Sequence, residues 1–269
     1  MTGASTGIGF DASRELVAHG FHVFGTVRRE EDGAALARIG ATPLLLDVTD
    51  QASIRAARDQ VSRLLSGASL VGLVNNAGIS GGGPIELLDL DDFRRMFEVN
   101  VIGTIAVTQL FLPLLKQARG RIVNISSVSG QIAPPFMAPY AASKFALEAV
   151  SDCLRRELDA FGVDVIVIQP GIIDTPIWKK GAEQDLSRFR DTPYYQVLKR
   201  MSENAASVAQ HAIPPSRVSR AILHALTARR PAARIPVVRN LLLHRLRGLV
   251  PDRVRDQRSA RRIRYMMNS

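Results

Sequence analysis

Two side chains that exchange protons or carry charge lie one helical turn apart in Tyr140-Ala141-Ala142-Ser143-Lys144. Residues four apart on a helix share a face, so the Tyr140 hydroxyl and the Lys144 ammonium are expected to be neighbours. A phenol titrates at about pH 10, and a cation beside it lowers its pKa by stabilising the anion. The pair could therefore donate a proton to a reacting oxygen, or accept one from it.

A further hydroxyl, that of Ser127, ends the apolar run Arg121–Ser127, which has the pattern of a buried strand. This hydroxyl could donate a hydrogen bond to the oxygen that Tyr140 protonates or deprotonates. Alone, a tyrosine and a lysine four apart are more often two surface residues of a helix. Here a glycine-rich start, an Asn-Asn-Ala-Gly segment and a Pro-Gly pair stand around them in the order that one fold requires.

Over nearly its whole length the chain resembles the short-chain dehydrogenases/reductases. The resemblance rests on Gly3-x-x-x-Gly7-x-Gly9, Asn75-Asn76-Ala77-Gly78, Ser127, Tyr140 with Lys144, and Pro170-Gly171. It implies a single α/β domain of the Rossmann type, with a doubly wound parallel sheet, over residues 1–238. It also implies an enzyme that interconverts an alcohol and a ketone or aldehyde with a nicotinamide cofactor.

Cofactor contacts are implied along much of the chain. Glycines in the first loop let the backbone approach a pyrophosphate, to which the next helix presents free N–H groups. In relatives, an aspartate after a strand contacts the adenine, and the segment after Pro-Gly grips the nicotinamide. The matching positions are Gly3, Ser5, Thr6, Gly7, Ile8, Gly9, Arg28, Asp47, Val48, Asn75, Ala77, Gly78, Tyr140, Lys144, Pro170, Ile173 and Thr175.

The resemblance also implies the catalytic roles. Tyr140 exchanges the proton, Lys144 lowers its pKa and binds the nicotinamide ribose, and Ser127 orients the substrate oxygen. Asn100 is expected to distort its helix and to hold a water that connects the lysine to solvent. Without the resemblance, Asn100 would be interpreted only as a satisfied buried amide in an apolar helix.

The end of the predicted second strand, Gly20–Val27, bears on the cofactor. NAD-specific relatives carry an aspartate near this point, where it accepts hydrogen bonds from the ribose, and Val27 takes its place here. Arg28 can pair with a 2′-phosphate, which an aspartate would repel. Arg28 and Arg29 could instead be solvated residues before a helix. We expect NADP(H) to be favoured over NAD(H).

The strand that precedes the nucleotide loop in this family has no counterpart in the sequence. Met1 stands where the last valine of that strand is usual. The strand is central in the sheet, so its loss would deprive two neighbours of hydrogen-bonding partners. We expect roughly five to ten further, mostly apolar residues to precede Met1 in the natural protein.

The composition is that of a globular chain with one large core: 269 residues, 46% hydrophobic and 22% charged. A single cysteine, Cys153, excludes an internal disulfide and fits the cytoplasm, and its apolar helical setting predicts a core position. The sequence shows no Cys/His cluster, so no metal site is expected. The charge-free apolar stretch Val101–Leu115 is too short to cross a bilayer.

The net charge of +10 belongs to the end of the chain. Residues 229–269 hold 12 arginines and 2 aspartates, whereas 23 basic and 23 acidic residues balance in 1–228. Leu242, Leu246 and Leu249 recur at helical spacing among the arginines, which predicts a basic amphipathic tail over 239–269. It could pack on the body, lie on an anionic membrane surface, or bind nucleic acid. Nucleic acid is not expected, because no reader motif accompanies the tail.

The stretch from the second strand to Gly78 most resembles the retinol and hydroxysteroid dehydrogenase branch. A bulky apolar substrate, retinoid-, steroid- or lipid-like, is therefore expected, rather than that of a 3-oxoacyl-carrier-protein reductase. Residues 176–211 have the pattern of a lid over such a substrate, with Trp178, Phe189, Tyr194, Tyr195 and Met201 spread among charges. Relatives dimerise through the Asn100 and Tyr140 helices, so a homodimer or homotetramer is expected.

The rival interpretation of the function, against an enzyme, is a non-catalytic cofactor sensor on the same fold.

Overall fold

The computed structural model describes residues 1–175, 185–209 and 212–268, and its secondary structure alternates between strands and helices. The strands in this part of the chain are β1 Phe24–Val27, β2 Thr42–Leu45, β3 Gly72–Asn75, β4 Arg121–Ile125, β5 Asp164–Pro170 and β6 Arg234–Val237. The α-helices are α1 Gly7–Ala18, α2 Gly33–Arg38, α3 Gln51–Leu65, α4 Leu90–Phe97, α5 Gly103–Ala118, α6 Ala138–Leu158, α7 Tyr195–Ala209, α8 Pro215–Thr227, α9 Leu241–Gly248 and α10 Asp252–Asn268.

All strand pairings are parallel, in the orders β1-β2 and β3-β4-β5-β6. Residues 1–4 lie between β1 and β3 and bond to both. Thr2 N donates to Val74 O at 2.9 Å, and Ala4 N donates to Thr26 O at 2.9 Å. These residues therefore occupy the central position of a doubly wound sheet. The prediction that the neighbours of this position lack hydrogen-bonding partners was wrong, because residues 1–4 supply them. The Met1 amino group donates to Phe24 O, and burial lowers its pKa to about 5.

Helices cover both faces of the sheet because alternate strand residues point to opposite sides. Val74, Val123 and Ile166 belong to a core under α1, α2 and α8. Their neighbours Leu73 and Ile122 belong to a second core that α3 and α5 cover. The predicted Rossmann-type α/β fold is confirmed.

The element boundaries differ where side chains turn the backbone. The apolar run Leu44–Val48 has the pattern of a buried strand, whereas the observed strand is Thr42–Leu45. The chain then turns because the Asp47 carboxylate accepts bonds from both the backbone N and the hydroxyl of Thr49. Asp50, whose residue type and position before an apolar helical pattern predict a helix cap, is confirmed as one, since its carboxylate accepts from Ala52 N at 2.8 Å. Asp47 is thus fixed just beyond its strand.

The sequence pattern from about Asp89 to Lys116 predicts one long helix, but the observed helix is interrupted. A π-helical turn, Glu98–Ile102, separates α4 from α5 and contains Asn100. The whole stretch Leu90–Ala118 is long and apolar enough to span a membrane by length and composition alone. Val107, Phe111 and Leu115, however, pack in the core against the sheet, as in the central helix of a globular domain. The distortion at Asn100 agrees with the sequence expectation.

The outward face of α6 is apolar and exposed. Phe145, Ala149 and Cys153 are exposed at intervals of four residues, while Leu147 and Ser151 on the opposite side are buried. The prediction that Cys153 lies in the core was wrong, because the helical repeat places it with Phe145 and Ala149.

The lid segment and the tail meet at the side of the sheet. Phe189 and Val197 are buried, and Tyr194 contacts Phe136 edge-on with ring centroids 5.9 Å apart. The predicted lid residue Trp178 lies outside the described residues. In the tail, α10 packs on α7, whereas α9 leaves its leucines exposed. Packing on the body therefore applies to the second tail helix.

Candidate active site

Tyr140 and Lys144 lie near the start of α6, where Pro139 fits the first turn because it needs no hydrogen-bonded N–H. The Lys144 side chain is buried, and its Nζ donates to Ile125 O at 2.9 Å. The same Nζ lies 5.7 Å from the centroid of the Tyr140 ring. The two side chains therefore share a face directed at the carboxyl end of β4.

Ser127 follows β4 in an extended conformation and is buried. Its side chain hydrogen-bonds the Tyr140 phenol, and its oxygen accepts from Ser129 N at 3.0 Å. Ser127, Tyr140 and Lys144 are thus brought together.

The protonation equilibria of the pair are set by burial. Burial raises the pKa of Tyr140 above its usual value, with the Ser127 hydrogen bond acting in the opposite direction. Burial lowers the pKa of Lys144 to about 8, and the Glu148 carboxylate one turn later opposes that change. The expected lowering of the Tyr140 pKa by Lys144 is not found in this arrangement. The ammonium is directed at Ile125 O, and loss of hydration outweighs its field.

Asn100 is buried in the π-helical turn and joins the catalytic helix to the cofactor segment. Its Oδ1 accepts from Ile79 N at 2.9 Å, and its Nδ2 donates to Ile79 O and to Ser143 Oγ, each at 3.0 Å. Ser143 Oγ in turn donates to Tyr140 O at 2.7 Å. Asn100 therefore fixes the loop after Asn75-Asn76-Ala77-Gly78 against the helix of Tyr140.

The glycine-rich loop has the shape that a pyrophosphate requires. Gly3 and Gly7 adopt positive φ of 62° and 57°, which side chains rarely allow. A β-carbon on Gly9 would lie 2.3 Å from Gly3 O. No side chain caps α1 at Thr6, so its first N–H groups remain available to an anion. Ser5 and Ile8 are half-buried in the same loop.

Asn76, which the sequence did not single out, holds this loop in place. Its Nδ2 donates to Thr2 O at 3.0 Å and to Gly3 O at 2.9 Å. The Thr2 hydroxyl oxygen accepts from the backbone N of Asn76 and of Ala77. At Gly78, a β-carbon would stand 3.2 Å from Asn100 Oδ1 and 3.8 Å from Lys144 Nζ. Glycine there leaves room for a ribose beside the lysine.

A file of buried polar groups lies behind the site. Asn75 Nδ2 donates to Thr108 Oγ1 at 3.0 Å and to Asn124 Oδ1 at 2.9 Å, and Asn124 Nδ2 donates to Ser151 Oγ. The file joins β3 and β4 to α5 and α6. Asn75 therefore has a structural role in addition to its predicted position beside the cofactor.

At the adenine end is a cavity of about 410 Å³ lined by Arg28, Asp47, Thr49, Arg94, Arg95, Glu98 and Val99. Arg29 faces elsewhere and pairs with Asp32. Desolvation alone would raise the pKa of the Asp47 carboxyl, but the two hydrogen bonds from Thr49 and the charge of Arg28 together lower it. Arg94 and Arg95, which come from α4, were missed in the sequence because they are sixty-six residues or more beyond Arg28.

The remaining predicted cofactor residues lie at two other edges. Val48 is buried, with its carbonyl facing Gly103 at the start of α5. Pro170 ends β5, and Ile173 is buried in a bridge to Ile213. Thr175 Oγ1 contacts Ile173 O at 3.5 Å. The loop after β5 is thus fixed in place by the strand-like segment that precedes α8.

Among the described residues no group of three or more His, Cys, Asp and Glu side chains could hold a metal ion. The loop, the space beside Lys144 and the arginine-lined cavity instead fit a dinucleotide. Those residues would hold it along one edge of the sheet, from Arg28 to Thr175.

The family model described as short chain dehydrogenase matches residues 1–186. This chain belongs to that family.

It is 34% identical to the NADPH-dependent 3-dehydrocapnine reductase of Ornithobacterium rhinotracheale, over 96% of this chain and 94% of that protein. It is 36% identical to human retinol dehydrogenase 5, over 87% and 78% of the two chains. A short-chain dehydrogenase from Streptomyces avermitilis superposes with a TM-score of 0.79 at 30% identity, over 96% and 92%. The chain is an oxidoreductase of the alcohol dehydrogenase and carbonyl reductase type.

The buried lysine predicts a pH dependence of stability. With a folded-state pKa of about 8 against 10.5 when unfolded, Lys144 binds more protons in the unfolded chain between these values. The free energy of unfolding should therefore rise with pH by roughly 1 kcal/mol per unit from pH 8 to 10, relative to Lys144→Met. Urea unfolding of both proteins at several pH values measures this difference. If the free energies of unfolding of the two proteins change with pH in parallel, the lowered pKa of Lys144 is contradicted.

Proposed function

We propose that the protein is an NADP(H)-dependent oxidoreductase that interconverts an alcohol and a ketone or aldehyde on a bulky apolar substrate. The observation that carries the proposal is the Tyr140 phenol, held by a hydrogen bond to Ser127 and one helical turn from the buried Lys144. A single oxygen placed beside the phenol would also lie within reach of the Ser127 hydroxyl.

In the reducing direction, the residues act on the substrate oxygen. The nicotinamide cofactor supplies the hydride to the carbonyl carbon. Ser127 donates a hydrogen bond that stabilises the developing oxyanion, and Tyr140 donates its proton to the same oxygen. Lys144, turning from Ile125 O towards the ribose and the phenol, stabilises the tyrosinate that remains. Asn100 holds the water through which the lysine exchanges protons with solvent.

The apolar substrate is inferred from the lid side of the site. The Tyr194 ring rests on Phe136, four residues before Tyr140, and the buried Phe189 ring reaches to 3.1 Å from a β-carbon placed on Gly83. Ile85 is 71% exposed beside this loop. The relative named for retinol, an apolar alcohol, also supports this substrate class.

The catalytic prediction is made on Tyr140→Phe. This variant should retain the fold and NADPH binding, while kcat falls by at least about a thousandfold because only the transferable proton is removed. NADPH oxidation against apolar ketones, aldehydes, retinoids and steroids measures it. Near-native turnover by the variant would refute the mechanism. NADPH binding without turnover of any such substrate by the unmodified protein would favour the cofactor sensor.

The preference for NADP(H) is inferred from the cavity at the adenine end. The strand before Arg28 ends in Val27, where an acidic residue would repel a 2′-phosphate. Arg28, Arg94 and Arg95 line the cavity and outnumber its two acidic residues, Asp47 and Glu98. The NADPH-dependent relative supports the same preference. Each charge-assisted pair with a phosphate contributes roughly 1.5–3 kcal/mol.

For the cofactor, NADPH should bind about tenfold or more tightly than NADH, and Arg28→Asp should reverse the order. Arg29→Asp is the matched control, because Arg29 pairs with Asp32 outside the cavity. Fluorescence titration of both cofactors on the three proteins gives the ratios. If Arg28 only balances Asp47, NADPH and NADH will bind the unmodified protein equally.

We further propose that the protein forms a homodimer or homotetramer and is located in the cytoplasm. The exposed apolar face of α6, with Phe145, Ala149 and Cys153, is suited to the same face of a second copy. Ala149→Arg should convert the assembly to a 29.4 kDa monomer in light scattering, whereas Ala56→Arg on the exposed face of α3 should not. A monomeric unmodified protein would exclude this interface. Recovery of the native protein outside the cytoplasmic fractions would exclude the location.

A further inference from the structure

Helix α9 shows its apolar side to solvent. Leu242, Leu246 and Leu249 are 68%, 50% and 79% exposed. Leu242 and Leu246 are four residues apart in α9 and share a face. Leu249 directly follows the end of the helix at Gly248, and its N–H donates to Leu246 O at 3.1 Å, so it continues the apolar stripe. These side chains are exposed to water and are not buried against the rest of the protein. We call these three residues the leucine stripe.

Positive charge surrounds the leucine stripe. Arg239 and Arg245 are exposed beside it, and the next helix exposes Arg253, Arg258, Arg261, Arg262 and Arg264. The acidic residues of 239–268 are Asp252, which pairs with Arg255, and Asp256. The surface thus combines exposed leucines with an excess of guanidinium groups.

The second tail helix fixes this surface to the lid. Along α10 the half-buried residues Arg255, Ser259, Ile263 and Met266 follow one face, and the helix packs on α7. Helix α7 begins at Tyr195, directly after the residue that contacts Phe136 at the mouth of the site. The tail and the mouth therefore belong to one packed side of the molecule.

We propose that the leucine stripe inserts into the interface of an anionic lipid bilayer while the surrounding arginines bind the headgroups. An amphipathic helix with leucines on one face and arginines beside them has the chemistry that such an interface selects. A nucleic acid would account for the arginines and leave the leucines in water. A second copy of the chain would repel through the same arginines. The docked orientation brings the mouth of the site to the source of an apolar substrate, a step that rests on the proposed function.

The first experiment measures binding without substrate or cofactor. The full chain is sedimented with vesicles of phosphatidylcholine alone, and of phosphatidylcholine and phosphatidylglycerol at three to one. We expect binding to the anionic vesicles at least tenfold tighter than to the neutral ones, weakening with salt. Absence of binding to the anionic vesicles would overturn the proposal, whatever the enzyme activity.

The leucine stripe is tested by the triple variant Leu242→Ser/Leu246→Ser/Leu249→Ser. Its partition to anionic vesicles should fall at least tenfold, because each leucine loses apolar area that would leave water. The matched control is Leu64→Ser/Val71→Ser, which removes exposed apolar side chains from the body. Equal loss in the control, or no loss in the triple variant, would overturn the proposal.

Two further measurements separate the alternatives. If the triple variant changes the mass in light scattering and leaves vesicle binding intact, the stripe joins copies of the chain and the proposal fails. If duplex DNA binds as tightly as the anionic vesicles and the triple variant binds both normally, the arginines alone act and the proposal fails. Unchanged NADPH oxidation with a water-dissolved ketone should accompany lost vesicle binding, which distinguishes a failure of docking from a failure of the enzyme.

Discussion

The site depends on the burial of one lysine. Removing the Lys144 ammonium from water is costly, as its lowered pKa shows, and the carbonyl of Ile125 and the negative charge of Glu148 offset part of this cost. The Glu148 side chain is itself buried, so its oxygens need hydrogen-bonding partners. They accept hydrogen bonds from Gln169 Nε2 and Arg234 Nε, each at 2.9 Å. Because those partners come from β5 and β6, the position of the lysine fixes how α6 meets the far half of the sheet.

The half of the sheet beside the nucleotide loop is subject to a second constraint, which is the close approach of that loop. Gly9 admits no side chain beside Gly3 O, and Asn76 bonds the loop from the neighbouring strand end. The two constraints meet at Gly78, where the absence of a β-carbon separates the loop from Asn100 and Lys144. Cofactor space and proton chemistry are thus shaped by the same few backbone positions.

The sequence was sufficient to predict the features that follow from local patterns and from the family's motifs. These are the alternating α/β order, the Asp50 cap, the distortion at Asn100 and the assembly of Ser127, Tyr140 and Lys144. The sequence was insufficient where the position of a side chain depends on the packing of an element that is distant in the chain. Arg94 and Arg95 reach the cavity of Arg28 only through the packing of α4. Cys153 is apolar in pattern yet exposed, because the helix has an outward apolar face as well as an inward one. The raised pKa of Tyr140 reflects dehydration, which spacing alone does not reveal.

The buried file of Asn75, Thr108, Asn124 and Ser151 has a consequence for how the sequence can change. Each side chain serves as a partner for the next, so replacing one by an apolar residue leaves a buried donor or acceptor unpaired, at a cost of about 1–3 kcal/mol. Replacing several together removes donor and acceptor at once and costs less than the sum. The four positions should therefore behave as one energetically coupled unit, in which a paired exchange destabilises the fold less than two independent single exchanges would.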